Sequence, residues 1–176
     1  MQTRLPDKIN PWKLAAAGGD LQGEIPVRDM ARLKPLLSTA DSTVSLMLQG
    51  GVDDQHIHFI AGHVETDVKV ICQRCLHPMP LPLAADFRLG LVRAQDQADS
   101  LPDEYDPLVA PDGELAVADL LEDELILALP LAPRHEELSQ CQENGYISPC
   151  DPGITETRHP FAALAPLSTN SRTRRT

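Results

Sequence analysis

Apolar residues occupy every second position in four stretches between residues 43 and 92, and polar residues largely fill the positions between them. The inward-facing sets are predicted within residues 44–48, 57–61, 64–72 and 81–91. A period of two is typical of strands that bury one face. Turns rich in glycine and aspartate separate the first stretches, and short connections favour antiparallel neighbours. The pattern therefore predicts an antiparallel β-meander of four or more strands.

Helical spacing of apolar residues appears outside this region. Residues 117–129 predict a helix with acidic residues in its first turn, and Pro130 ends it. Its predicted inward stripe is Val117, Leu120, Leu121, Glu124, Leu127 and Ala128. Residues 26–37 predict a short helix that starts at Pro26 and that Pro35 ends or kinks. The stretch "HPFAALAPL" (residues 159–167) predicts a short docked helix. We expect an α+β fold in which one long and one or two short helices cover one sheet face.

The chain of 176 residues is long enough for one domain with less regular ends. We expect an irregular arm over 1–22, a single α+β domain over 23–135, an irregular C-terminal segment with the docked helix over 136–167, and a disordered basic tail over 168–176. No apolar run suggests a signal peptide or a membrane span. Four cysteines are few for a disulfide-rich secreted protein, so we expect a cytoplasmic protein with reduced thiols.

The net charge of −11 is concentrated in one block. Residues 96–143 hold 14 acids and one base, Arg134, whereas the remainder holds 12 acids and 14 bases. Such a block repels phosphate and attracts basic partners, although it also serves as an ordinary solvated surface.

The stretch "VKVICQRCLHPMPLPL" (residues 68–83) holds Cys72 and Cys75 and has three interpretations. A redox pair should open a helix, but three prolines directly after the motif forbid one. A zinc site would take two further ligands from Cys141 and Cys150, with His135 as an alternative ligand. The third interpretation is a reduced structural pair in a turn.

Other chemical signals are weaker. His56, His58 and His63 lie close together near one predicted strand and form a second, less specific candidate for a metal site. No glycine-rich phosphate loop, H-E-x-x-H or G-x-S-x-G motif occurs, so nothing in the sequence favours an enzyme.

Several blocks occur in an order that resembles the YceD family of large ribosomal RNA subunit accumulation proteins. They are "CQRCL", "VRAQDQADSLPDEYDPL", "DLLEDELILALPLAPRH", Cys141 and "HPFAALAPL", and the resemblance spans about residues 23–167. The matching positions are Cys72, Arg74, Cys75, Glu122, Asp123, Glu124, Pro130, His135, Cys141, Pro160 and Phe161. The resemblance implies a non-catalytic cytoplasmic role in synthesis, processing or stability of large-subunit (23S) ribosomal RNA. Some relatives carry a second C-x-x-C that would complete a zinc site, whereas this chain has only the separated Cys141 and Cys150.

Two mechanisms follow from this resemblance. The protein could bind ribosomal RNA directly through basic residues that contact phosphates, while Trp12 stacks on a base. The basic candidates are Arg74, Lys8, Lys13, Arg28, Arg32, Lys34, Arg88 and Arg93. Alternatively, Asp119, Glu122 and Asp123 would bind a basic ribosomal protein or another assembly factor.

Two further functions stay open at the level of sequence. One is a zinc-binding structural or adaptor protein without direct RNA contact. The other is a thiol redox protein that uses Cys72 and Cys75.

Overall fold

The largest element of the fold is a five-stranded sheet. The computed structural model describes residues 5–111 and 113–148. In chain order the strands are β1 (Lys8–Ile9), β2 (Asp20–Pro26), β3 (Thr43–Val52), β4 (His58–Ile71), β5 (Pro78–Val92), β6 (Asp106–Val109) and β7 (Leu115–Ala116). The main sheet has the order β2-β3-β4-β5-β6, and β1 pairs with β7 in a separate two-stranded sheet. Strands β2 to β5 are antiparallel, which confirms the predicted meander within an α+β fold.

Helices cover one face of this sheet. They are α1 (Pro11–Ala17), α2 (Val117–Ala128) and α3 (Leu138–Glu143). Leu120, Leu121 and Leu125 of α2 join the same buried cluster as Val64 and Val68 of β4.

The buried positions of β3, of β5 and of the second half of β4 alternate as predicted, and this inner face forms the core with the helices on it. The predicted strands over 57–61 and 64–72 are instead one continuous strand, β4. In its first half Ile60 is buried, whereas Phe59 and Ala61, which were predicted to face inward, lie on the opposite face.

The predicted helix over residues 117–129 is confirmed, but its buried side differs from the predicted stripe. Leu125 is fully buried, whereas Leu127 is 79% exposed. The buried acid is Glu122 rather than Glu124, which lies half-buried. The hydrophobicity pattern did not identify the buried face of this helix, because it assigns charged residues to solvent and Glu122 occupies a core position.

Strand β6 departs from the meander because it runs parallel to β5. The many aspartates and prolines of residues 93–113 predict a loop, but this segment includes a 3₁₀ segment, Gln95–Ser100, followed by β6. A strand of four residues is too short for a period of two to distinguish it from a loop.

The N-terminal residues form more structure than the irregular arm that was predicted for 1–22. The Asn10 side chain caps α1 by accepting the Lys13 backbone N–H at 2.9 Å, and Gly18 ends the helix in the left-handed region (φ 58°). Helix α1 then packs on β3 so closely that a Cβ at Gly50 would lie 2.5 Å from the Leu14 backbone. Residues Asp20–Pro26 follow as β2 along the edge of β3.

The predicted helix over residues 26–37 does not form. The segment holds two 3₁₀ turns, Val27–Asp29 and Lys34–Leu36, because Met30 is extended (φ −101°, ψ 99°) and separates them, and Pro35 cannot donate an N–H to a longer helix. The Glu122 carboxylate compensates for the missing helical bonds. It accepts the backbone N–H of Arg32 at 2.7 Å and that of Leu33 at 3.3 Å.

Three alternate prolines protect one edge of the sheet. Pro78, Pro80 and Pro82 pair with β4, while the short β6 covers only residues 89–92 of β5. Alternate residues of a strand direct their N–H groups to the same side, so these prolines remove donors from the uncovered edge. An edge without donors resists pairing with another chain.

Some predictions fall on residues outside the described part of the chain. These are Cys150, the docked helix over 159–167 and the basic tail over 168–176. Within the described part of the C-terminal segment predicted to be irregular, Leu138–Glu143 is helical. Among the described helices, none is long and apolar enough to span a membrane.

Candidate metal centre

Four side chains with metal-binding atoms come together where β4 ends. Cys72, Cys75, His135 and Cys141 each offer one such atom, and these atoms all lie within 4.8 Å of one another. Among the residues that the structure describes, no other group of three or more histidine, cysteine, aspartate or glutamate side chains has this arrangement.

The turn between β4 and β5 supplies the first two side chains. Its backbone folds on itself, since the Leu76 N–H donates to the Cys72 carbonyl at 2.8 Å and the Cys72 N–H to the His77 carbonyl at 2.9 Å. Leu76 adopts a left-handed conformation with φ 61° and leaves its side chain 71% exposed. This tight reversal places Cys72 inside the core and Cys75 at its margin.

The segment after α2 supplies the other two side chains. The Gln73 N–H donates to the Pro133 carbonyl at 2.8 Å, which attaches this segment to the cysteine turn. His135 follows directly, and the short helix α3 carries Cys141 into a fully buried position. The centre therefore joins two parts of the chain that are about sixty residues apart in sequence.

The distances fit a four-coordinate ion. The Cys72 and Cys141 sulfurs are 3.8 Å apart, and His135 Nδ1 lies 3.5 Å from the sulfurs of both Cys75 and Cys141. A tetrahedron with bonds of about 2.3 Å to sulfur and about 2.0 Å to nitrogen has edges of about 3.8 Å and about 3.5 Å, respectively. Three edges of the cluster therefore already have the lengths that a tetrahedral metal site requires, and the cluster could hold a metal ion.

The thiols of the metal-free centre differ in acidity. Burial raises the pKa of Cys72, but backbone hydrogen bonds from Cys75, His135 and Arg74 outweigh it and lower this pKa to about 5. For Cys141, burial together with the neighbouring Cys75 and Cys72 sulfurs raises the pKa. A metal ion would stabilise the deprotonated form of such thiols, because its positive charge replaces the proton.

Further polar groups surround the sulfurs. The Arg74 backbone N–H lies 3.4 Å from the Cys72 sulfur, and Arg74 Nη1 lies 3.8 Å from the Cys141 sulfur. Asn144 Nδ2 lies 3.8 Å from the Cys75 sulfur. Three thiolates and a divalent ion carry a net charge of −1, which the Arg74 guanidinium offsets. Hydrogen bonds of this kind orient ligands and tune the ion they hold.

The structure brings together three of the predicted ligands, Cys72, Cys75 and Cys141. The fourth member is His135, the predicted alternative ligand, and Cys150 lies outside the described residues. The spacing H-x₅-C gave no recognised signal, so only the fold brings His135 into the set. The Cys72 sulfur also lies 3.8 Å from that of Cys141, so it is not isolated with Cys75, and its complete burial keeps a protein disulfide from reaching it.

Most basic side chains that were predicted to bind RNA have partners within the chain. Lys8 pairs with Glu114 at 2.8 Å, and Arg28 lies 4.0 Å from Asp29. Arg32 binds both Glu122 and Asp123. Lys13 and Lys34 are exposed.

Aromatic rings engage two other arginines. The Arg88 guanidinium lies 4.7 Å from the Phe59 ring centre and 4.8 Å from that of Tyr105, and it donates to the Tyr105 hydroxyl. Trp12 donates to the Ala110 carbonyl at 2.8 Å, while Arg93 lies 4.7 Å from its ring centre. One face of Trp12 is thus already covered.

The three acids that were predicted to bind a partner differ in accessibility. Asp119 and Asp123 are exposed, although Asp123 pairs with Arg32. Glu122 is buried and forms an ion pair with Arg32 at 2.9 Å. Its carboxylate therefore serves an internal contact rather than a partner's surface.

The histidines near β4 do not form a metal cluster. His56 lies in the turn with φ 64°, and the His58 ring tilts against Trp12 with 5.5 Å between ring centres. His63 Nδ1 lies 2.7 Å from Asp86, and its Nε2 lies 3.8 Å from Glu65. The hydrogen bond to Asp86 raises the pKa of His63.

Comparisons with known proteins agree with the resemblance seen in the sequence. A family model described as "Large ribosomal RNA subunit accumulation protein YceD" matches residues 60–168. The protein of that name from Haemophilus influenzae is 33% identical over 171 residues, which cover 94% of this chain and 97% of the relative. No solved structure matches the chain.

Proposed function

The chain belongs to the YceD family of large ribosomal RNA subunit accumulation proteins, and from this premise we propose that it supports accumulation of large-subunit ribosomal RNA as a non-enzymatic factor in the cytoplasm. The observation that carries the proposal is the relationship to the Haemophilus influenzae protein, because it extends over nearly the whole of both chains. The centre of three cysteines and one histidine would serve this role by stabilising the fold.

The ion in this centre is proposed to be zinc. Three thiolates and an imidazole form one of the donor sets typical of structural zinc sites, which are closed and tetrahedral. Cys72, Cys75, His135 and Cys141 would hold the ion, and the four protein ligands would leave no position for a substrate. Their partly and fully buried positions suit a structural role. Zinc would then attach the segment that carries α3 to the cysteine turn.

An adaptor mechanism has more support than broad direct binding to RNA. Lys8, Arg32 and Arg88 are engaged with acids or aromatic rings of the chain, so binding phosphate would require these contacts to break. The exposed block around α2 and the loop before it is acidic and repels phosphate. The protein would therefore act on ribosomal RNA chiefly through a basic protein partner.

Metal content tests the centre. Native mass spectrometry of the purified full chain, compared with a denatured sample, should find one zinc ion per molecule. Cys141→Ser and His135→Ala should lose it, because each removes one of four ligands. The matched control is Cys150→Ser, which changes the same residue type outside the set. Zinc that survives His135→Ala but disappears in Cys150→Ser would assign the fourth ligand to Cys150 and reject this geometry.

Ribosomal RNA levels test the function. Cells that lack the protein should show a lower ratio of 23S to 16S ribosomal RNA, and expression of the wild-type chain should restore it. Cys150→Ser should restore the ratio as well, whereas Cys72→Ser should not. An unchanged ratio in the deletion strain would refute the proposed function, whatever the metal content of the protein.

A further inference from the structure

The five-stranded sheet has a second, open face opposite the core. Helix α1 meets the sheet at Gly50 and α2 buries its leucines among inward residues of β4 and β5, so both lie on the inner face. Outward residues of β3, β4 and β5 are mostly exposed, including Met47, Glu65 and Asp86. Among the residues that the structure describes, Leu101 and Tyr105 approach this face at one end, next to Gly90 and Phe59.

The open face has an apolar centre in a shallow depression. Met47 is 51% exposed there, although it lies in the middle of the sheet. In register across the strands, it pairs with Gln22 on one side and with His63 on the other, and His63 pairs with Asp86. These four residues, with Asp20, line a depression of about 500 Å³. Methionine is enriched in protein interfaces because its flexible thioether adapts to different partners.

Acidic residues surround this centre. Outward positions of β2 to β5 carry five acids, which are Asp20, Glu24, Glu65, Asp67 and Asp86. The bases at outward positions of these strands are Lys69, Arg88 and, when protonated, His63. The Arg88 guanidinium is held by Tyr105 and lies 3.8 Å from Glu104, so it offsets little of this charge. The open face is therefore acidic as well as apolar at its centre.

We propose that the open face binds a basic segment of a partner protein, one rich in lysine and arginine. The long stems of such residues would pack on Met47, and their charged ends would reach Asp86 and Glu65, which are 87% and 64% exposed. Complementary charge would speed the encounter and select basic partners, whereas RNA would be repelled. This surface is the site at which the adaptor function proposed above would bind its partner, and the inference rests on that function only for the identity of the partner.

A peptide titration tests this surface directly. The probe is a fluorescent 20-residue peptide of alternating lysine, arginine, glycine and serine, and the readout is its anisotropy with the purified full chain. Glu65→Lys together with Asp67→Lys should weaken binding by about tenfold or more, because two attractive contacts become repulsive. The matched control is Asp96→Lys with Asp99→Lys, which changes the net charge equally at exposed positions of the 3₁₀ segment. This control should weaken binding less than about threefold.

Three further measurements locate the contact and keep the result interpretable. Circular dichroism must show that both double variants remain folded. Met47→Ser, which keeps every charge, should weaken binding several-fold. Amide resonances of residues 45–49, 61–65 and 84–88 should shift when the peptide is added.

Equal losses in the two charge-reversed variants would overturn the proposal, because the binding would then follow net charge alone. Absence of peptide binding, or displacement of bound peptide by a 20-nucleotide poly-uridine RNA, would overturn it as well. None of these results depends on ribosomal RNA levels in cells, so failure of this surface differs from failure of the proposed function.

Discussion

At the scale of single residues, Glu122 best shows how a charged side chain can hold the fold together. It is buried, yet its two oxygens receive the Arg32 Nε at 2.9 Å and the backbone N–H groups of Arg32 and Leu33. These backbone groups lack helical partners because the extended backbone at Met30 (φ −101°, ψ 99°) interrupts the segment before them. One carboxylate thus satisfies donors that would otherwise be buried without an acceptor.

Replacement of Glu122 should be costly. Glu122→Ala leaves the Arg32 and Leu33 N–H groups and the Arg32 side chain without their acceptor, and we expect a loss of about 2–4 kcal/mol in the free energy of unfolding. Urea denaturation followed by circular dichroism measures it. The control is Glu124→Gln on the same helix, which should not destabilise. Burial and the nearby Asp106 and Asp123 raise the pKa of Glu124, so its charge is already disfavoured. Equal losses in both variants would contradict this role for Glu122.

Leu76 is the opposite case, a residue whose conformation costs stability. It adopts φ 61° in the cysteine turn, and its exposed side chain gains little packing energy to offset the steric penalty of this conformation. Glycine adopts this region without a steric penalty. Leu76→Gly should therefore raise the free energy of unfolding by up to about 1 kcal/mol, the left-handed penalty less the extra entropy of the unfolded chain. Leu127→Gly, a similarly exposed leucine within α2, should instead lower it by about 1 kcal/mol.

At the scale of elements, long periodic stretches were predictable and short ones were not. The alternation within β3, β5 and the second half of β4 is long, so the buried face of these stretches followed from it, whereas residues 57–61 were assigned to the wrong face because Ile60 is the buried residue there. Helix α1 was missed although Asn10, Pro11 and Gly18 supply both of its ends, because seven residues contain too few apolar repeats. Strand β6 and the turns over 27–36 depend on tertiary partners, which no local pattern contains.

The candidate centre shows the same limit. The cysteine turn was visible as C-x-x-C, but His135 and Cys141 meet it only because Gln73 binds the Pro133 carbonyl and α3 folds back over the turn. An expected consequence is that metal removal acts locally. Chelation should release α3 and expose the cysteine turn, while the sheet keeps its own core.

Hydrogen exchange followed by mass spectrometry checks this consequence. After treatment of the full chain with a zinc chelator, peptides that cover 72–77 and 133–146 should lose protection at least tenfold, whereas peptides within 58–70 should change little. Cys150→Ser should behave as the wild type does before and after chelation. Uniform loss of protection throughout β4 would instead mean that the ion holds the whole domain.

At the scale of the whole molecule, the protein has two acidic surfaces, and one of them contains a histidine whose charge depends on pH. The acidic excess was evident in residues 96–143, but strands β2 to β5 add five outward acids that lie apart in sequence and side by side in space. No charge count along the chain reveals this second acidic surface. His63 lies in it, between Asp86 and Glu65.

Stability should depend on pH through His63 with a definite sign. The hydrogen bond to Asp86 raises the folded-state pKa of His63 above 6.5 against opposing burial, and the charges of Asp86 and Glu65 add to this effect. Its contribution is therefore fully present below about pH 6.5, the unfolded value, and is lost as pH rises through the folded-state pKa. Cys72, with its pKa lowered to about 5, acts in the opposite direction in metal-free protein, because its contribution grows as pH rises from about 5 toward 9.

Comparison of variants isolates the histidine from other titrating groups. Urea denaturation at pH 6 and at pH 9 should show that His63→Gln destabilises the protein more at pH 6, because the contribution of Cys72 cancels between wild type and variant. Asp86→Asn should remove most of this pH dependence, and the double variant should add little to either single change. If His63→Gln has the same effect at both pH values, the protonated histidine contributes nothing to the stability of the open face.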